Sequence, residues 1–150
     1  MRSLFLTFIG LSIICWAELN GQNYFQKLNY PSGKQKCQGM VDSAGSQIGN
    51  WTFYHENGEV ESLGSFINGK NEGVWNFYDT TGNKLKEVVY QNGIYNGKYA
   101  DYKVTGEINS IGYYKKGAKI NRWRYFGENG KIIKIENYKK TKLYKEIIYG

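Results

Sequence analysis

Proline is nearly missing from these 150 residues: Pro31 is the only one. A proline cannot donate to a β-ladder, so its scarcity removes the main obstacle to long hydrogen-bonded strands. Histidine is just as scarce. His55 stands alone beside an expected turn, and without a partnered nucleophile it offers no catalytic pair; it reads as a solvated turn residue. Only two cysteines occur, Cys15 and Cys37, which excludes a disulfide scaffold. Glycine is plentiful but never packed as a phosphate-binding loop that opens a helix, so nucleotide binding has no support.

Met1 to Ala17 reads as a secretory signal peptide, with Arg2 as the positive start, Leu4 to Ile14 as the apolar run and Cys15-Trp16-Ala17 as the cleavage site. About a dozen apolar residues are too few to span a bilayer. Cleavage after Gly21 is the neighbouring alternative. Lipidation of Cys15 is less favoured, because Ile14 is bulky where a lipobox carries a small residue. Export to the periplasm or beyond is expected, and nucleic acid is disfavoured as a partner on that ground. Cys37 then remains as the one thiol of the mature chain, read as a small apolar core residue. The remaining length suits one domain and leaves no room for a second, catalytic one.

What the chain has in abundance is aromatic residues, 17% of the total, and glycine, 19 residues, and both fall in rows. Trp51, Trp75, Tyr99 and Trp123 are each 24 apart, as are Gly58, Gly82, Gly106 and Gly130. The sets Tyr54, Tyr78, Tyr102, Phe126 and Phe66, Tyr90, Tyr114, Tyr138 keep the same step. Two more glycine rows, Gly69, Gly93, Gly117 and Gly49, Gly73, Gly97, complete a unit reading GNWTFYHENG, GVWNFYDTTG and GKYADYKVTG. Repetition of this kind sets the architecture before any motif is weighed.

A run such as Asn50 to Tyr54 alternates, placing Trp51 and Phe53 on one face and Thr52 and Tyr54 on the other. Each copy has two turns. One falls at Asn57-Gly58, with Gly82, Gly106 and Asn129-Gly130 as its equivalents, and reads as a two-residue hairpin turn because Asn-Gly tolerates positive φ. The other falls at Asn68-Gly69, Asn92-Gly93 and Lys116-Gly117. About 12 residues per strand plus turn leave no place for helices. The expected fold is all-β, an elongated antiparallel meander of tandem 24-residue hairpins in a single sheet with caps. Four repeats occupy 49–144, a degenerate capping copy 22–48 precedes them, and a closing strand from Lys142 to Tyr149 finishes the sheet, its end in 145–150. There Ile147 and Tyr149 continue the rows of Trp123 and Tyr125, with Lys140-Thr141 as an altered turn.

These residues resemble a known family. GNWTFYHENGEVESLGSFINGKNEG followed by GVWNFYDTTGNKLKEVVYQNGIYNG is similar to the bacterial variant of the MORN repeat, with its Gly-x-Trp-x-x-Tyr start, Asn-Gly turn and Tyr-x-Asn-Gly-Lys linker. The resemblance covers about 96 residues. The third copy departs in having Tyr99 and Asp101 for Trp and Phe, and the fourth in having Asn121 for the leading glycine. The resemblance implies an elongated, twisted antiparallel sheet and a role in protein assembly or in contact with anionic lipid. It also implies kinship with YwqK-like proteins labelled as antitoxins, which act by binding and supply no catalytic residue.

Chemistry gives little else. Glu56, Glu59 and Glu61 cluster near the first turn, but they read as a polar hairpin tip rather than a metal site or a carboxylate pair. No catalytic residue, cofactor, metal or small-molecule substrate is expected. The aromatic rows have two readings, as core and as a surface offered to a partner through Trp51, Trp75, Tyr99 and Trp123. Charge is uneven along the chain: residues 49–96 hold three basic and six acidic groups, a net of −3, and residues 97–144 hold twelve and four, a net of +8. Lys115, Lys116, Arg122, Arg124, Lys139 and Lys140 are therefore candidate contacts for an acidic protein, an anionic lipid or an envelope polymer, alongside Lys119, Lys131, Lys134 and Lys142. A non-catalytic exported binding protein is the expectation. Its partner is expected to be another protein, with an antitoxin role or attachment to an anionic envelope as the alternatives.

Overall fold

The computed structural model describes residues 22–150. The expected signal segment and Cys15 lie outside the described residues. Eleven strands follow one another: β1 (Tyr24–Asn29), β2 (Gln35–Val41), β3 (Gln47–Tyr54), β4 (Val60–Ile67), β5 (Lys70–Tyr78), β6 (Lys84–Gln91), β7 (Ile94–Tyr102), β8 (Ile108–Lys115), β9 (Ala118–Phe126), β10 (Ile132–Lys139) and β11 (Lys142–Ile148). They form one antiparallel sheet whose spatial order is the order in sequence. The all-β meander expected from the 24-residue period is therefore the fold, with β1 and β11 at its edges.

The two turns of each copy lie at opposite ends of the strands, and their chemistry differs. Asn68-Gly69, Asn92-Gly93 and Lys116-Gly117 have both central residues at positive φ, between 49° and 80°, as a two-residue I′ turn requires. Lys140-Thr141, expected to be altered, adopts the same turn at φ 47° and 71°. The other turns do not match the expectation. In the His55–Glu59 loop only Gly58 has positive φ, and the chain is closed by bonds from His55 N to Glu59 O at 2.8 Å and from Gly58 N to His55 O at 2.9 Å. Asn57-Gly58 is thus part of a longer loop ending on a left-handed glycine. The Gly127–Lys131 loop containing Asn129-Gly130 repeats it.

The leading-glycine row marks a bulge. Opposite each β-strand that precedes it, the tryptophan-bearing strand carries extra residues: Leu63 pairs with Asn76 but Ser65 pairs with Glu72, and Ile111 pairs with Arg124 but Tyr113 pairs with Ile120. The backbone turns there through Gly49, Gly73 and Gly97 at positive φ, and Asn121, the departure in the fourth copy, takes the same conformation at φ 58°. Asparagine is among the few other residues that tolerate it.

These bulges seat the tryptophans. A methyl group on Gly39, Gly64 or Gly112 would lie 2.2–2.4 Å from the ring of Trp51, Trp75 or Trp123 respectively, so each indole lies flat on the bare backbone of the preceding strand. Its Nε1–H then donates to the carbonyl of the next residue, Met40 at 2.9 Å, Ser65 at 3.1 Å and Tyr113 at 3.2 Å. Trp51, Trp75 and Trp123 are only 2–3% exposed as a result. Ring-to-ring contacts run from Trp51 through Phe66, Trp75, Tyr90, Tyr95 and Tyr114 to Trp123, with centroid separations of 4.9–6.1 Å. This ladder, with Cys37, Val41 and Val88, is how one sheet builds a core without a second layer.

The closing strand departs from the expected phase. Ile135 pairs with Ile147 and Glu136 with Glu146, one residue off the pairing that continuation of the repeat would give. A slip of one residue reverses the faces. Ile147 therefore leaves the row of Trp123 and packs opposite Ile135 on the other side of the sheet, and Tyr149 instead donates its N–H to Ile133 O at 2.8 Å.

Candidate functional surface

Both rims of the sheet are tied from copy to copy. On the I′-turn rim, Gly69 N donates to Gln47 O, Gly93 N to Asn71 O and Gly117 N to Tyr95 O, each at 2.9 Å. On the opposite rim Tyr30 Oη donates to Tyr54 O at 2.7 Å, Asn57 Nδ2 to Thr80 O at 2.6 Å, and Lys103 Nζ to Gly127 O. His55 belongs to this series: its Nε2 is 2.9 Å from Tyr78 O and must carry the proton, because a carbonyl only accepts. The lone histidine is therefore a staple between repeats rather than a merely solvated turn residue.

The aromatic candidates divide. Trp51, Trp75 and Trp123 have almost no surface to offer, which corrects the reading of them as contact residues; the glycine beneath each ring and the neighbouring rings cover it. Tyr99 is half-buried in the same row. Burial pushes its hydroxyl up to about 12, with the nearby Asp101 adding to the effect. No single-sequence signal could have matched Gly39, Gly64 and Gly112 to the tryptophans, because the match depends on register across the bulges.

The cations divide as well. Lys119 and Lys134, on the indole face, are held by Glu136 at 3.0 and 2.9 Å, and Glu136 also accepts from Tyr125 Oη at 2.6 Å and Tyr138 Oη at 3.0 Å. Burial alone would raise the Glu136 carboxyl, but the bonds from Tyr125, Lys134, Lys119 and Tyr138 together outweigh it and hold the group at about 2. Lys119 Nζ lies 4.5 Å from the Trp123 ring centre, so this cluster ends the aromatic ladder with a satisfied polar network. These two lysines are structural.

Lys115, Lys116, Arg122, Arg124, Lys139, Lys140 and Lys142 are all exposed, and none of them forms a salt bridge among the described residues. The fold redistributes them. Lys115, Lys116, Lys139, Lys140 and Lys142 gather at two neighbouring I′ turns on one rim, whereas Glu56, Glu59, Asp79, Glu107 and Glu128 sit at the loops of the other. An asymmetry that runs lengthwise in the sequence thus also runs across the sheet. Arg122 and Arg124 lie on the face opposite the indoles, paired with Asn137 and Ile135. Among the described residues no group of three or more His, Cys, Asp or Glu could hold a metal ion.

A family profile described as the MORN repeat variant matches residues 47–68, 71–92 and 120–140. The span it passes over is the third copy, where Tyr99 replaces tryptophan and Val88 replaces the glycine beneath it. No curated protein shows significant similarity to the chain. MORN repeats are commonly binding modules for proteins or membranes and are generally non-catalytic. With three matching copies, the indole-on-glycine motif recurring in them and one continuous meander, this chain is a member of the MORN-repeat family.

Proposed function

We propose that the chain is a non-catalytic, exported binding protein that engages another protein through the cations of its C-terminal half rather than through its tryptophans. The observation that carries this reading is the split among the basic groups. Lys119 and Lys134 are balanced by Glu136 and Glu146, while Lys115, Lys116, Lys139 and Lys140 stand exposed on one rim, and Arg122 and Arg124 on one face, with no salt-bridge partner among the described residues. Backbone conformation supports it. Lys116 and Lys140 occupy the left-handed first position of I′ turns where the earlier copies carry Asn68 and Asn92. A lysine there costs about 1 kcal/mol in backbone energy, so turn stability does not account for the choice, and what the lysine adds is an exposed charge. Toxin neutralisation by a YwqK-like antitoxin would be one instance of such binding, favoured by a short neighbouring toxin gene. Attachment to an anionic membrane would use the same groups.

The test is crosslinking of the protein in its native envelope. Replacing Lys115, Lys116, Lys139 and Lys140 together by Glu is expected to abolish capture of the partner, and raised salt to weaken capture by the unaltered chain. Undiminished capture by the variant would refute the reading. Retention on anionic vesicles with no protein captured would favour the membrane instead.

A further inference from the structure

We infer that the outer edge of β11 is a strand-addition site for an acidic, extended segment of another protein. The inference rests on the proposed protein-binding role and says how one partner docks. An edge strand presents a row of unpaired N–H and C=O groups, and natural sheets blunt such edges by shortening, bulging, charging or covering them. β11 has charge but, among the described residues, no cover. It is seven residues long, and around it Leu143 is 49% exposed, Tyr144 64%, Ile148 72% and Tyr149 47%.

The direction of its amides is fixed. Tyr149 N donates inward to Ile133 O, so by the alternation of an antiparallel pair the N–H groups of Lys145 and Ile147 also point to β10, and those of Glu146 and Ile148 point outward.

Charge selects the occupant. On the face opposite the indoles the register runs Arg122, Asn137, Lys145 in one line and Arg124, Ile135, Ile147 in the next. The carboxylates of these last strands, Glu136 and Glu146, lie on the other face, where Lys134 bridges them at 2.9 and 3.5 Å. A twelfth strand would therefore meet Lys145 and Ile147 on one side, with Arg122 and Arg124 adding positive charge from two strands behind, and Ile148 and the Lys134-bridged Glu146 on the other. Acidic residues at every second position, alternating with β-branched ones, match both. A second copy of β11 matches poorly: paired antiparallel about the middle of the strand, Lys145 meets Lys145 or Glu146 meets Glu146.

The test uses residues 22–150 and a labelled peptide of about ten residues, Glu alternating with Val. Fluorescence anisotropy is expected to show binding that weakens with salt, and amide exchange to slow at Glu146 and Ile148. Three changes are each expected to weaken binding at least about tenfold: N-methylation of alternate peptide amides, Lys145→Glu, and Ile148→Pro, which removes only an outward N–H as an edge strand tolerates. Equal binding of the N-methylated peptide, or protection elsewhere, would overturn the inference, as would dimerisation in sedimentation that the peptide does not reverse. If native crosslinking still depends on Lys115, Lys116, Lys139 and Lys140 while the peptide fails, strand addition falls and the basic-rim reading stands. If the peptide binds but those four lysines prove dispensable for capture, the reverse holds.

Discussion

Tyr99 stands opposite Val88 in the one repeat where the sheet has neither a tryptophan nor the glycine beneath it. The two departures are one. Val88 is fully buried, and its side chain fills the space that the indole takes over Gly39, Gly64 and Gly112. A smaller ring without an N–H is what then fits, and the third repeat keeps its place in the ladder through Tyr95, Tyr114 and Trp123, at 5.3–6.2 Å from Tyr99.

That pairing predicts coupled mutations. Tyr99→Trp alone overpacks against Val88, and Val88→Gly alone removes a buried side chain; each is expected to destabilise by about 1–3 kcal/mol. Together they restore the arrangement of the other repeats, and urea denaturation should give a favourable coupling of about 0.5–3 kcal/mol. Strict additivity would contradict the indole-on-glycine account. Gly64→Ala tests the same contact from below, and is expected to lower the urea midpoint because its methyl group would meet the Trp75 ring at 2.3 Å.

Glu136 predicts the acid limb of stability. Its folded-state pKa of about 2 lies below the ordinary 4.5 of a glutamate. Its contribution is therefore complete above about pH 4.5 and is lost as pH falls towards 2. The shift corresponds to about 3 kcal/mol. Glu136→Gln should be destabilised at pH 7 and indistinguishable from the unaltered chain near pH 2 in thermal melts. A constant gap across that range would show that the hydrogen bonds of Tyr125 and Tyr138, not the charge, matter.

The last turn is expected to be improvable. Thr141 is β-branched and held at φ 71°, where glycine is preferred. Changing Lys140-Thr141 to the Asn-Gly of the earlier copies should stabilise the chain by about 1 kcal/mol while reducing capture of the partner. A loss of stability would mean that Thr141 is held by something other than the turn.

Cys37 is 4% exposed, and burial pushes its thiol above the ordinary range. Ellman's reagent should modify residues 22–150 only as fast as the sheet opens, and at once in denaturant. Rapid labelling of the native chain would remove Cys37 from the core.

Much of this protein is written in the chain itself. A 24-residue period, alternation within Asn50 to Tyr54, and Asn-Gly pairs at 68 and 92 determine the meander, the face of each tryptophan strand and the position of the turns, because each is a local preference repeated in phase. Register across a bulge is not local. Only the folded sheet could decide that Gly64 lies under Trp75, that β11 slips by one residue and turns Ile147 away from the tryptophan row, and that Glu136 claims Lys119 and Lys134 while Lys115 and Lys140 stay free. Those outcomes depend on which side chains, distant in sequence, compete for the same space or the same charge.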